Sequence, residues 1–144
     1  MDALVRCEIV SAARSIFSDG VRMVVVSCTH GDVGILPGHA PLLGQLDPGP
    51  VRVIDRNNEE ILFHVSSGFL EVQPTIVTIL ADEITRAEDV DEAAAQEAIE
   101  EAKRNFANQR SEIDYAAVIE TLSHYSAQLR TIRKLRKKYA RRPN

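Results

Sequence analysis

The sequence contains no lysine before Lys103, and this absence limits how its most distinctive segment can be interpreted. Residues 31–43 read GDVGILPGHAPLL, a run rich in glycine and proline. A loop that cradles nucleotide phosphates continues into Gly-Lys-Ser or Gly-Lys-Thr, because the lysine reaches the phosphate oxygens. Without that lysine, the segment does not predict an ATPase active site. By itself it is typical of a long loop between strands, whose glycines and prolines set the backbone geometry.

Recognisable sets of metal ligands and catalytic residues are also missing. Cys28 and His30 stand two residues apart and could face the same way, but two ligands do not make a zinc site and no recognised spacing completes one. Residues 66–68 lack the Gly-x-Ser-x-Gly context of a nucleophile elbow. We therefore predict a non-catalytic protein that needs no metal and no cofactor.

Signals for export or membrane insertion are equally scarce. The two cysteines, Cys7 and Cys28, lie within apolar alternations, which is typical of small buried side chains in a reducing compartment. No apolar run is long enough to cross a bilayer. The chain starts with an acidic Asp2 instead of a basic and then apolar leader. We expect a cytoplasmic protein.

Acidic residues are absent from the end of the chain, although they dominate the rest of it. The sequence has 21 acidic and 17 basic residues in total, yet residues 128–144 contain eight bases and no acid. A few cations at a helix end complement the helix dipole, at about 0.3 to 1 kcal/mol each. Eight cations are more typical of a binding surface, and an acidic protein, an anionic membrane or a nucleic acid would each fit it.

Short runs of β-branched residues with alternating polarity fill the first part of the chain. The predicted strands are Leu4–Val10, Val21–Cys28, Val51–Asp55, Ile61–Ser66, Gly68–Val72 and Ile76–Ala81, and turn residues at 19–20, 47–49, 56–59 and 73–75 separate them. Since no helix interrupts these strands, we predict an antiparallel β-sandwich or flattened barrel over residues 1–87. Leu62 and His64 make the alternation of their strand only partly polar, so we expect both of its faces to be covered.

A helical pattern replaces the strands after Arg86. Asp89 and Glu92 predict a capping box, and the residues up to about Gln109 are rich in strong helix formers. Residues spaced by four predict one packing face with small side chains: Val90, Ala94, Ala98, Ala102 and Phe106.

A second helix is predicted to begin near Ser111 or Asp114. Its packing face follows a spacing of three and four residues: Tyr115, Val118, Leu122, Tyr125, Leu129 and Ile132. Because the polar connection is short, the two helices are expected to form an antiparallel hairpin over residues 88–144. Periodicity alone leaves open whether this hairpin lies on the sandwich or extends from it.

Residues 31–43 resemble the Gly-acid-x-Gly-Ile-x-Pro-Gly-His-x-Pro-Leu segment of the epsilon subunits of F-type ATP synthases. Residues 67–72 and 77–82 are similar to the end of that family's sandwich. Residues 114–116 and 127–130 are similar to its second helix. The resemblance covers almost the whole chain, and its motifs occur in the family's order across the change from strands to helices.

The resemblance implies a subunit of the rotating central stalk and three protein partners. In that family the sandwich binds the gamma subunit and touches the c-ring, while the hairpin folds down or extends to block ATP hydrolysis. The basic helix meets an acidic segment of the catalytic beta subunit. Carried over by position, the candidate partner-binding residues are Asp32, His39, Arg130, Arg133, Lys134 and Arg136. The implied location is peripheral, on the cytoplasmic face of the bacterial inner membrane.

The sequence departs from the family pattern at a motif that lets some members bind ATP. That motif resembles Ile/Leu-Asp-x-x-Arg-Ala, and here Ala94 stands in place of its arginine. The later arginine positions correspond to His124 and Gln128. Because charge-assisted contacts to phosphate are missing, we expect weak ATP binding or none. The alternative function is a free-standing cytoplasmic module whose basic helix binds nucleic acid or anionic lipid.

Overall fold

The computed structural model describes residues 3–107 and 112–140, without the side chains of residues 106, 112–115 and 138–140. Nine strands lie within this described part: β1 (Val5–Ser11), β2 (Ser15–Cys28), β3 (Gly31–Ile35), β4 (Leu42–Leu46), β5 (Gly49–Asp55), β6 (Glu60–Val65), β7 (Gly68–Val72), β8 (Ile76–Ala81) and β9 (Ile84–Arg86). A 3-10 turn (Ala87–Asp89) leads into α1 (Glu92–Ala107) and α2 (Glu112–Ala140). The predicted order of a sandwich followed by two helices is confirmed.

The strands form a flattened, partly closed sandwich around the long strand β2. Their order is β1-β8-β7-β4-β2-β5-β6-β9, with β3 pairing with β2 and a further pairing between β1 and β2. The first half of β2 pairs with β1, and its second half pairs with β3 and β5. These pairings are antiparallel except for β1 and β8, which run parallel. β2 therefore joins the two layers of the sandwich.

The hydrophobic core lies between these two layers and comes from alternate side chains of the strands. Its largest fully buried members include Phe63, Ile9, Ile35, Leu46, Leu70 and Ile79. Every residue of this core cluster precedes residue 82, so the helices add nothing to it. The sandwich thus has its own core, whereas the hairpin does not share it.

Two predictions about the strands are wrong. Residues 19–20 do not form a turn, because Asp19 and Gly20 lie within β2, where they pair with Cys7 and Arg6. The segment 31–43 is not simply a loop, since it contains all of β3 and the start of β4. A short strand with two glycines has little intrinsic signal, and it forms here because β2 offers it a ladder of hydrogen bonds.

The first helix is capped by a different aspartate from the one that the sequence indicated. The Oδ1 atom of Asp91 accepts a hydrogen bond from the backbone N–H of Ala94 at 3.0 Å, which is the geometry of a helix N-cap. Asp89 instead belongs to the 3-10 turn. The turn delays the start of α1 to Glu92, and so the predicted capping box of Asp89 and Glu92 is wrong.

The packing face of α1 is also rotated from the predicted one. The helix buries Ala95, Ile99 and Ala102, while Ala94 is exposed and Ala98 is half-buried. A spacing of four residues advances about 40° beyond a full turn at each step, so a strict four-residue stripe drifts off one face. Only Ala102 belongs to both the predicted and the observed set. Phe106, the last member of the predicted stripe, has a side chain outside the described part.

The second helix buries part of its predicted face and some residues that were not predicted. Val118 and Ile132 are buried, and Leu122, Tyr125 and Leu129 are half-buried. The side chain of the remaining predicted member, Tyr115, lies outside the described part. Ala127 and Thr131 are completely buried as well. The reason is that α2 has two neighbours, because it packs on α1 and also on β5 and β6.

The hairpin therefore lies on the outer face of the sandwich. Leu62 and His64 point away from the core of the sandwich, yet they are only 4% and 2% exposed. This confirms the expectation that both faces of their strand are covered. We call this arrangement the docked position of the hairpin.

Candidate partner-binding surfaces

Asp32, the first predicted contact residue, is exposed on β3, close to the end of β2. Its Oδ1 atom accepts a hydrogen bond from the hydroxyl of Ser27 at 2.9 Å. Ser27 and Asp32 are direct neighbours in the ladder between β2 and β3. The strand pairing thus fixes this carboxylate in place while it stays open to solvent.

His39, the second predicted contact residue, lies in the connection between β3 and β4. Its Nδ1 atom is 2.7 Å from the carbonyl oxygen of Ala40, and it donates a proton to that oxygen. Gly38 has a φ of 82° and donates its N–H to the carbonyl of Pro74 at 2.9 Å. The first bond orders the connection internally, and the second ties it to the turn between β7 and β8.

A cleft of about 580 Å³ separates the sandwich from α2 and brings opposite charges together. Asp32 and Asp47 line its sandwich side, and Arg130 and Lys134 line its helix side. Arg130 also donates a hydrogen bond from Nη2 to the carbonyl oxygen of Pro48 at 3.0 Å. The structure thus places three of the predicted residues around one cleft, whereas His39 does not line it.

The other two predicted bases differ in their surroundings. Arg136 forms an ion pair with Glu92 at the start of α1. Arg133 is exposed beside Arg130. We call Arg130, Arg133, Lys134 and Arg136 the basic quartet. In the docked position, two of its members contact this protein itself, and Arg133 and Lys134 remain exposed.

Sequence reasoning missed an apolar patch on the outer face of the sandwich. Leu43 is 76% exposed, Phe69 56% and Leu80 49%. Phe69 is paired directly with Leu80 across β7 and β8, and Leu43 lies on the same face of the adjacent β4. Apolar side chains at outward positions of three neighbouring strands form a surface suited to a protein partner. The signal for it was present in the sequence, but it needed the strand register.

A buried polar contact under α2 was missed as well. The Nδ1 atom of His64 lies 3.1 Å from the hydroxyl oxygen of Thr131 on α2. Burial is the main reason why the pKa of His64 falls to about 4, and nearby His124 and Arg130 lower it further. The imidazole is therefore neutral at physiological pH. No local pattern could reveal this pair, because its members are 67 residues apart.

The described residues show no arrangement suited to metal binding or thiol chemistry. They contain no cluster of three or more side chains that could hold a metal ion. Burial, with a smaller effect from Glu8, raises the pKa of Cys7 to about 12. The pKa of Cys28 is raised too, mainly by burial and then by Asp47 and Asp32. Both thiols are thus poor nucleophiles at neutral pH.

Neither of the two helices in the part of the chain that the structure describes is both long and apolar enough to span a membrane. The surface features described above are an exposed apolar patch on the sandwich and a docked hairpin with a basic end.

Comparison with known proteins shows which class of protein combines these features. Residues 4–87 match the family model of the ATP synthase delta/epsilon chain β-sandwich domain. Over 137 residues the chain is 50% identical to the ATP synthase epsilon chain of Chromohalobacter salexigens, with 95% of this chain and 97% of that relative covered. The chain belongs to the family of ATP synthase epsilon chains. It is a non-catalytic subunit rather than an enzyme in its own right.

Two solved structures share the fold at low sequence identity. A chain of the Euglena gracilis mitochondrial ATP synthase (OSCP, F1 and c-ring) has a TM-score of 0.80 and 22% identity, covering 87% of this chain and 79% of its own. A chain from the central stalk and c-ring of the Tetrahymena thermophila mitochondrial ATP synthase has a TM-score of 0.66 and 14% identity, covering 89% and 96%. The fold is therefore shared where the sequences have diverged widely.

Proposed function

We propose that this protein is the central-stalk epsilon subunit of an F-type ATP synthase, coupling the catalytic head and gamma subunit to the c-ring and restraining ATP hydrolysis through its hairpin. The observation that carries this proposal is the 50% identity to an ATP synthase epsilon chain along nearly the full length of both proteins. The proposed location is peripheral, at the cytoplasmic face of a bacterial inner membrane.

The sandwich is proposed to bind the gamma subunit and the c-ring. The patch formed by Leu43, Phe69 and Leu80 supports gamma binding, since apolar side chains on three adjacent strands would be covered by a protein partner. Asp32 and His39 are assigned to contacts with gamma and the polar loops of the c-ring. Their support is the ordered, solvent-facing geometry of β3 and of the connection to β4.

The basic quartet is proposed to bind an acidic surface of the catalytic beta subunit when the hairpin leaves its docked position. Arg130 has its internal partner on the sandwich, so undocking would release it. The ion pair of Arg136 with Glu92 joins the two helices, so Arg136 would be released only if the helices also separate. Exchange between internal and external partners is what a two-position inhibitory element requires.

ATP is not proposed as a ligand. Ala94 is an exposed residue in the first turn of α1, and its methyl group offers nothing to a phosphate. His124 lies 3.9 Å from a carboxylate oxygen of Glu83, which is a poor setting for an anionic ligand. Weak binding of Mg-ATP, or none, stays a prediction that calorimetric titration can check.

Native mass spectrometry of the complex purified from its host's membranes tests the proposal. We expect one copy of this protein for each gamma subunit, together with the other subunits of the catalytic head and the c-ring. The alternative function predicts a protein that purifies without gamma and binds RNA, DNA or anionic vesicles alone, with affinity that falls steeply as salt rises. That second result would overturn the proposal.

A further inference from the structure

His64 and Thr131 form a polar contact inside the otherwise covered interface between β6 and α2. His64 is 2% exposed and Thr131 is completely buried. A buried polar group is costly unless it is hydrogen-bonded, so this contact stabilises only the docked position, where the two side chains meet.

The hydrogen bonds define which imidazole nitrogen carries the proton. A threonine hydroxyl has one proton, and that of Thr131 is donated to the carbonyl oxygen of Ala127 at 3.1 Å. The oxygen of Thr131 must therefore accept a proton from Nδ1 of His64. Nε2 then carries the lone pair, and it is buried without a hydrogen-bond partner among the described residues.

The groups around His64 on α2 disfavour a positive charge there. The rings of His64 and His124 meet edge to face, with centroids 6.0 Å apart, and the guanidinium of Arg130 is also nearby. Glu83, in the connection between β8 and β9, has a carboxylate oxygen 3.9 Å from Nε2 of His124.

In the described part of the chain, the groups that shift the pKa of His64 all lower it, and no acid is among them. The residues paired with His64 on β5 and β9 are the uncharged Pro50 and Thr85. The 3-10 turn presents the buried Ala87, while its acids, Glu88 and Asp89, are exposed. Arg86 stacks over the ring of Phe63, which points into the core on the opposite face of β6 from His64.

We propose that His64 is a pH-sensitive latch, which holds the hairpin docked while its imidazole is neutral and releases the hairpin when the imidazole is protonated. Protonation would add an N–H at Nε2 in a buried site without an acceptor. It would also place a positive charge beside Arg130. Both effects act only in the docked position, since an undocked His64 faces water.

The direction of the pH effect follows from the pKa in the two positions. Docking lowers the pKa of His64 to about 4, whereas an imidazole in water has a pKa of about 6.5. The docked position thus binds fewer protons, and docking weakens as the pH falls from about 6.5 towards 4. Between pH 7.5 and 5.5 the ratio of docked to undocked hairpins should fall roughly tenfold. In the assembled enzyme this would favour the inhibitory position in acid, a consequence that rests on the proposed function.

Single-molecule Förster resonance energy transfer on the isolated full chain measures the ratio of docked to undocked hairpins without the other subunits. Dyes on cysteines introduced at the exposed Asn57 and Lys137 report docking, because the buried native thiols react slowly. Single-molecule dilution avoids precipitation near the isoelectric point of about 5.6. A urea concentration that leaves about half of the hairpins docked at pH 7.5 makes a tenfold change measurable.

Three variants separate the latch from general effects of acid. In His64→Gln the side chain stays neutral at every pH, and its amide can still donate to Thr131. This variant should therefore abolish the response to acid, which is the fall in the ratio of docked to undocked hairpins. Thr131→Val removes the acceptor and should lower docking at every pH while the response to acid remains. His124→Gln should keep most of the response.

A wild-type ratio that does not change with pH would overturn the proposal, and so would an undiminished response in His64→Gln. If His64→Gln fails to dock at all, His124→Gln decides the question. Retention of the wild-type response in that variant then supports His64 as the latch, and its loss assigns the response to His124 and rejects the proposal. Because no other subunit is present, these outcomes are independent of the proposed stalk function.

Discussion

At the scale of single residues, the sandwich depends on positions where the backbone leaves no room for a side chain. Gly68 starts β7, and a Cβ atom added there would lie 2.0 Å from the carbonyl oxygen of Leu80. Gly44 on the neighbouring β4 differs, since its nearest contact would be the sulfur of Cys28 at 3.4 Å. Two glycines in adjacent strands thus have very different tolerance for alanine.

We predict that Gly68→Ala lowers the free energy of unfolding by about 1 to 3 kcal/mol, because a strand backbone must shift to relieve the clash. Gly44→Ala is the matched control and should change it by less than about 1 kcal/mol. Urea denaturation followed by circular dichroism measures both variants. Equal losses would show that the close approach of β7 and β8 does not limit stability.

The charge of Asp32 can be removed without disturbing its hydrogen bond. In Asp32→Asn the amide oxygen can still accept from Ser27, so the fold should lose no more than about 0.5 kcal/mol. If the segment is an interface, this variant and His39→Ala should weaken binding to the gamma subunit and c-ring several-fold. Asp82→Asn, an exposed acid outside the segment, is the control. Loss of thermal stability in parallel with loss of assembly would assign the segment to scaffolding alone.

At the scale of elements, the start of α1 is set by the 3-10 turn before it. The turn makes Asp91 the cap and leaves Asp89 exposed. We predict that Asp91→Ala costs about 1 kcal/mol of stability, the usual cost of losing an N-cap, and that Asp89→Ala has little effect. Thermal unfolding of both variants checks this. A larger loss in Asp89→Ala would restore the capping box that the sequence suggested.

The sandwich has all the residues of its core within its own strands. We therefore predict that the fragment 1–87 folds alone and binds the gamma subunit, although it loses the cover over Leu62 and His64. Circular dichroism and a pull-down with gamma measure both properties. The same fragment with Leu62→Thr controls for aggregation through the newly exposed face. An unfolded fragment, or a folded one that ignores gamma, would contradict the prediction.

The elements also show what sequence alone can and cannot predict here. Residues 61–65 indicated a strand with both faces covered, because Leu62 and His64 leave its alternation only partly polar. β3 was missed since its five residues include two glycines, and only pairing with β2 makes them a strand. The contact between His64 and Thr131 was missed because it depends on where α2 docks, which no local period encodes.

At the scale of the whole molecule, the basic quartet has two roles that compete. In the docked position Arg130 and Arg136 bind Pro48 and Glu92 of this protein, and Arg133 and Lys134 face solvent. Charge reversal of all four bases would disturb docking and partner binding together. Reversal of Arg133 and Lys134 leaves those two internal contacts intact, but Lys134 also lines the cleft opposite Asp32 and Asp47, so docking has to be measured in the same variant.

The most direct test of the account is therefore ATP hydrolysis by the assembled enzyme that carries Arg133→Glu and Lys134→Glu. Each lost surface ion pair is worth up to about 1 kcal/mol, so the ratio of inhibited to active enzyme should fall several-fold, to at most about thirtyfold, and hydrolysis should rise. Subunit stoichiometry should not change, because the sandwich still anchors the protein. Energy transfer on the isolated chain with the same two changes is the control for docking, because Lys134 lines the cleft between α2 and the sandwich. Unchanged hydrolysis in a fully assembled complex would contradict the account and leave the basic quartet as a solvated helix end.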